Sequence, residues 1–225
     1  MGAFPHFSRT SRGFTLIELL VAITIMSIIA LLSWRGIDGM VRSQQITRER
    51  SDQLVVIQNA LAQWQSDLDA LQPVDNTTPI NWDGQVLRIT RRSSTVPGEG
   101  ALVVAWTRRG TQDAGQWMRW QSPPLRTRAQ WQEAWEMAAQ WARSPGDAER
   151  RREMALMPLS SWQIFYYRGG AWSNPLSSSG TAAPDSATPT IPDGVRLQIT
   201  LPPGQALTGQ LTRDWVNPVL GGGRS

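Results

Sequence analysis

Between Phe14 and Trp34 the chain reads FTLIELLVAITIMSIIALLSW, and Glu18 is the one charged residue in it. As a helix rising about 1.5 Å per residue, this run spans roughly 32 Å, about one hydrocarbon thickness. A carboxylate inside lipid is costly, and such groups are functional by default. A paired cation offsets that cost, so the question Glu18 raises is which cation it meets. Other chemistry is narrowly bounded. The chain has no cysteine, which excludes disulfides, thiolate metal sites and cysteine nucleophiles. Its single histidine, His6, precedes the apolar run. A Ser-His-Asp triad and a histidine metal site are therefore excluded from the folded part. We find no Gly-rich phosphate loop and no convincing catalytic carboxylate pair. Nothing argues for an enzyme, and no cofactor is expected.

Three further groups of residues have a functional and a bland reading. Twelve tryptophans, several interleaved with arginine as in AWTRRG and QWMRWQ, could stack bases or carbohydrate. Core and strand-face packing, with Arg stacked on Trp, accounts for them more simply. Asp75, Asn76 and Asp83 share a loop and could hold calcium, but they lack EF-hand spacing, and an Asx-type turn suffices. Arg150, Arg151 and Arg152 beside Glu149 and Glu153 read as a solvated charged face. All 22 basic residues are arginine, against 18 acidic residues. Arg9 and Arg12 precede the apolar run and the rest is nearly balanced, so nucleic acid is not expected as a partner.

The elements that must hold these residues follow from periodicity. After Trp34 the chain stays free of proline up to Pro73. Leu54, Ile57, Leu61, Trp64, Leu68 and Leu71 recur at spacings of three and four, one apolar stripe on a helix. This predicts one long helix, about Thr15 to Leu71, loosened near Gly36 and Gly39 and ended by Pro73. Beyond it lie short β-type runs: Gln85 to Thr90, Ala101 to Arg108 and Gln116 to Gln121 as a meander, then Ser160 to Arg168 turning at Gly169-Gly170 into AWS. Val195 to Leu201 alternates cleanly, and Ala206 to Val216 adds an edge strand. Thr127 to Arg143 has helical composition, with Trp131, Trp135, Ala138 and Ala142 on one face. Residues 173–194 read as a long loop. The fold class expected is α+β: a long N-terminal helix, transmembrane in its first half, packed by its second half on antiparallel β-sheet.

A basic start before an apolar run marks a targeting segment. A cleaved secretory signal wants an A-x-A-like site, and Arg35-Gly36-Ile37 is a poor one. A plain anchor gains nothing from Glu18. Gly13-Phe14-Thr15-Leu16-Ile17-Glu18 resembles the prepilin signature. The resemblance implies that a prepilin peptidase cuts between Gly13 and Phe14 and that the new amine of Phe14 is then methylated. It also implies an assembly role for Glu18, one helical turn away, as the partner of a neighbouring subunit's N-terminal ammonium. A subunit slipped along the bundle would leave both charges unpaired, so the pair sets the axial register. The domains are then a cytoplasmic leader 1–13, a transmembrane helix 14–36 and its amphipathic continuation 37–72. A periplasmic antiparallel β domain 73–220 follows, with a helical excursion near 127–143, and a disordered tail 221–225.

Downstream, LSWRGIDGMVRSQ, NALAQWQSDL with Asp67, WQIFYYRGGAWSN and IPDGVRLQITLPPG with Pro192 and Val195 resemble the minor pseudopilin J family of type II secretion. Residues 127–143 do not fit that pattern. The resemblance implies a subunit of the pseudopilus tip in the bacterial inner membrane, N-terminus cytoplasmic, with its C-terminal domain in the periplasm. Its expected partners are the I-type and K-type minor pseudopilins and the major pseudopilin, with secretin or secreted cargo beyond them. Two alternatives stand beside it: a minor pilin of a type IV or DNA-uptake pilus, and a membrane-anchored periplasmic binding protein.

Overall fold

The computed structural model describes residues 13–93, 100–111, 114–177 and 190–219. The leader residues 1–12, the separator around Pro97 and Gly98, residues 178–189 of the long loop and the tail 221–225 lie outside the described residues. The chain divides into two compact units, Met1–Glu49 and Arg50–Ser225. Helix α1 spans Leu16–Asp69 and continues through Gly36 and Gly39 without interruption.

In the first unit the large apolar side chains of α1, from Leu16 to Ile46, are exposed in the single chain. Among the described residues α1 is the one helix long and apolar enough to cross a membrane. Its hydroxyls bond within the helix. Thr24 Oγ1 donates to the Leu20 carbonyl and Ser27 Oγ to that of Ile23, each at 2.8 Å. Neither brings an unsatisfied donor into an apolar environment.

The second unit is built on two antiparallel sheets. β1 (Ile80–Trp82), β2 (Val86–Arg92), β3 (Ala101–Gly110), β4 (Gly115–Gln121) and β5 (Glu153–Pro158) pair in chain order. β6 (Ser161–Arg168), β7 (Ala171–Ser173), β8 (Gly194–Leu201) and β9 (Gly209–Val216) form the second sheet in the order β7-β6-β8-β9. The β6–β7 turn places Gly169 at φ 57° and Gly170 at φ 87°. Positive φ at both central residues of a two-residue hairpin is what makes a Gly-Gly pair suitable there. α2 (Arg128–Arg143) and the short α3 (Asp147–Arg150) lie between β4 and β5.

One core joins the inner faces of both sheets to Ile57, Ala60, Trp64 and Leu68 of α1. Tryptophans dominate it: Trp82 meets Trp162 edge-on at 4.7 Å between ring centroids, and Trp106 meets Trp117 at 4.5 Å. A second core lies on the other face of the five-stranded sheet, where Val103, Ala105 and Trp120 pack on Ala134, Ala138, Trp141 and Ala142 of α2. β3 is thus covered on both faces, which explains why ALVVAW is an unbroken apolar run rather than an alternating one. α2 starts with a capping box between Thr127 and Gln130. With no disulfide to help, this domain is held by packing.

Several expectations are corrected. The helix stops at Asp69, before Leu71, because the chain turns there to pair with β2. Leu71 bridges Arg91, the Gln72 N–H donates to the Thr90 carbonyl, and the Arg92 N–H to that of Ala70. Leu54, expected on the buried stripe, is exposed. β1 and β5 were not expected as strands. Glu153 does not belong to a solvated face. It opens β5, half-buried, and accepts from Arg109 Nη1 at 2.8 Å and Trp141 Nε1 at 2.6 Å.

Candidate functional site

Gly13, Phe14 and Thr15 precede the first turn of α1. Phe14 is 86% exposed, and a Cβ built on Gly13 would meet nothing within 4 Å. Among the described residues nothing covers the peptide bond between them, and none demands a glycine at 13.

Thr15 is the residue that sequence reasoning missed. Its Oγ1 accepts the Glu18 N–H at 3.4 Å, while Glu18 Oε2 accepts from the Thr15 N–H at 2.9 Å and from its hydroxyl at 2.8 Å. This is a capping box, and Thr-Leu-Ile-Glu carries its S/T-x-x-E signature in plain sight. Glu18 has a local duty: it satisfies a donor at the helix start. Both bonds engage Oε2, and the described residues offer Oε1 no partner. Around the carboxylate, Phe14, Ile17, Val21, Ala22 and Ile25 share one exposed apolar face. The arrangement is a negatively charged spot on a greasy strip, one turn from the site of a would-be new N-terminus. It can hold a cation presented at the same depth.

Asp67 is the other charged centre. It is fully buried and accepts Nε and Nη2 of Arg119 at 2.7 and 2.8 Å, Nε1 of Trp106 at 2.8 Å, and Nη1 of Arg91. Gln63 Nε2 adds a bond at 3.3 Å. One carboxylate on α1 thus fastens β2, β3 and β4 to the helix. Its neighbours supply no nucleophile or proton acceptor, so its role is architectural.

The remaining candidates resolve into structure. Trp106, Trp117 and Trp120 are completely buried. Arg88 lies over Trp135 at 4.8 Å and Arg109 over Trp141 at 5.1 Å. Asp83 Oδ1 accepts the N–H groups of Gln85 and Val86 at 3.0 and 2.8 Å, an Asx-type turn, and Asn76 adopts φ 58°. Asp75 and Asn76 are exposed. Arg150, Arg151 and Arg152 are exposed as well.

Residues 8–34 match the family described as the prokaryotic N-terminal methylation motif. That match supports a type IV pilin-like prepilin N-terminus for this chain. The motif implies processing by a prepilin peptidase and assembly with other pilins in a membrane-associated complex, and the single N-terminal apolar helix fits a membrane-anchored protein.

Proposed function

We propose that this prepilin is a minor pseudopilin of a type II secretion system, a structural subunit of the pseudopilus tip that takes part in protein export across the outer membrane. The observation that carries a structural role is Glu18, half-used by its own helix on an otherwise apolar exposed face. The peptidase cuts the bond after Gly13, and Phe14 becomes the methylated N-terminus. The Glu18 carboxylate then receives the ammonium of a neighbouring subunit through Oε1. The leader stays in the cytoplasm, the first half of α1 crosses the inner membrane, and the β domain stands in the periplasm beside I-type and K-type partners. No step is catalytic. Support for the secretion assignment comes from the J-like stretches around Asp67, the Trp162–Trp172 hairpin and the closing strand β8.

A deletion strain scored for secreted proteins in the medium and for pili or twitching tests this assignment. Lost secretion with normal twitching is the expected result. Lost pili with normal secretion would move the protein to a pilus, and no change in either would favour an anchored binder.

A further inference from the structure

Along β2, alternate side chains meet successive turns of α2. Arg88 lies over Trp135 at 4.8 Å, and Thr90 Oγ1 accepts the indole N–H of Trp131, one turn earlier, at 2.9 Å. Arg92 is next in the series. One turn before Trp131 stands Thr127, the cap of α2, whose hydroxyl is spent on the Gln130 N–H. Arg92 therefore gains no bond from the helix and lines a cavity of about 930 Å³ beside its start.

Arg126 and Arg128 line the same cavity, and all three arginines are exposed. Among the described residues none of the three has an ion pair or a guanidinium hydrogen bond. Elsewhere in the β domain arginines are committed: Arg109 to Glu153, Arg91 and Arg119 to Asp67, Arg196 to Asp214. Two carboxylates, Asp69 and Asp75, also line the cavity. Asp69 accepts the Trp215 indole N–H at 2.8 Å, and neither pairs with an arginine. The positive end of the α2 dipole adds to the field of the three guanidinium groups. Val74, Leu125 and Trp131 give the walls apolar surface. A volume of this order suits a ligand larger than a lone ion.

We propose that this cavity binds an acidic peptide segment supplied by another protein of the assembly, with its carboxylates on Arg92, Arg126 and Arg128. The choice of a peptide rests on the assembly reading of the N-terminus, and not on the choice between secretion and pilus. Guanidinium forks match carboxylates in geometry as well as charge. Glutamates alternating with apolar residues along an extended chain present both chemistries that the cavity offers.

The test uses the full chain in nonionic micelles and a fluorescent peptide that alternates glutamate with leucine, read by anisotropy. Its counterpart with glutamine in place of glutamate should bind at least about tenfold more weakly. Arg92→Gln, Arg126→Gln and Arg128→Gln should each weaken the glutamate peptide by about tenfold. These side chains are exposed, so the fold should survive, and an unchanged circular dichroism spectrum checks it. Arg150→Gln removes an exposed charge outside the cavity and should bind as wild type. Absence of binding, equal binding by the glutamine peptide or by the three variants, or an equal loss with Arg150→Gln would overturn the site. Inorganic phosphate that displaces the peptide at equal concentration would overturn the peptide in favour of a free anion. Each of these failures leaves the prepilin reading standing, because cleavage after Gly13 is scored separately.

Discussion

Replacing Asp67 with asparagine removes a counter-charge shared by two arginines, Arg91 and Arg119. The side chains of Arg91 and Arg119 are only 4% and 11% exposed, and that of Asp67 is 0% exposed. Among the bonds that stay are two to neutral acceptors: Arg91 Nε donates to the Arg92 carbonyl at 3.1 Å and Arg119 Nη2 to Gln121 Oε1 at 2.9 Å. Neither acceptor carries charge. The asparagine amide can also turn only one oxygen toward donors that now approach from four groups. Removing one partner of a buried ion pair costs about 3–5 kcal/mol, a large share of the roughly 5–15 kcal/mol that holds a domain folded. With a urea slope of about 2 kcal/mol per molar, the unfolding midpoint should fall by about 1.5–2.5 M. Tryptophan fluorescence of the full chain in micelles reads this directly, since Trp106 is itself a donor to Asp67. A shift under about 0.5 M would refute the reasoning, because it would equate the node with one ordinary hydrogen bond of about 1 kcal/mol.

Other consequences are smaller or more local. Tyr166 is buried, its hydroxyl meets no acceptor or donor among the described residues, and burial pushes its phenol well above the usual range. Tyr166→Phe should therefore leave the midpoint unchanged or raise it, by about 1 kcal/mol at most, and a marked loss in the same unfolding assay would reveal a missed partner. The two bonds from Arg196 hold the Asp214 carboxyl below its ordinary value. A depressed folded-state pKa gives stability that is complete above the unfolded value of about 3.9 and fades as pH falls through the folded one. Wild type and Asp214→Asn should then differ by a constant amount near neutrality and converge below about pH 4, whereas a gap that widens in acid would reverse the sign. Gly13→Val should leave the leader attached, visible as a larger species by mass spectrometry, with no change in the folding of the β domain, because position 13 is open.

Local order was legible where it is set by near neighbours. The pattern from Ile57 to Leu68 named the face of α1 that enters the core, and Gly169-Gly170 named the hairpin. Long-range choices were not. Asp67 lies 24 residues from Arg91 and 52 from Arg119, so their convergence on one carboxylate depends on sheet order that no local pattern encodes. The α2 face is instructive. Spacing grouped Trp131, Trp135, Ala138 and Ala142 on one face; Ala138 and Ala142 are buried as that face requires, but the structure buries Ala134 and Trp141 with them rather than the two tryptophans. Trp120 and its neighbours already fill that space, and small residues let the helix approach them. Trp131 and Trp135 remain half-buried, stacked on each other at 5.0 Å. β5 was invisible because its exposure does not alternate and it begins among charges.

At the N-terminus the sequence posed a sharper problem than it solved, because Thr15 gives Glu18 an explanation that needs no partner. A capping box accounts for a carboxylate at the third helical position of any helix. It does not account for a carboxylate inside an apolar run, where glutamine would cap equally well without a charge. Two substitutions separate the duties. Glu18→Gln preserves the side chain that reaches back to the Thr15 N–H and deletes the charge. Thr15→Val deletes the hydroxyl cap and preserves the charge. If Oε1 serves a neighbour's N-terminal ammonium, Glu18→Gln should insert and be processed normally yet fail to recover tagged partner subunits, whereas Thr15→Val should recover them at near wild-type levels. The opposite pattern, with Glu18→Gln competent and Thr15→Val defective, would mean that Glu18 serves only the start of its own helix, and the register argument would fall with it.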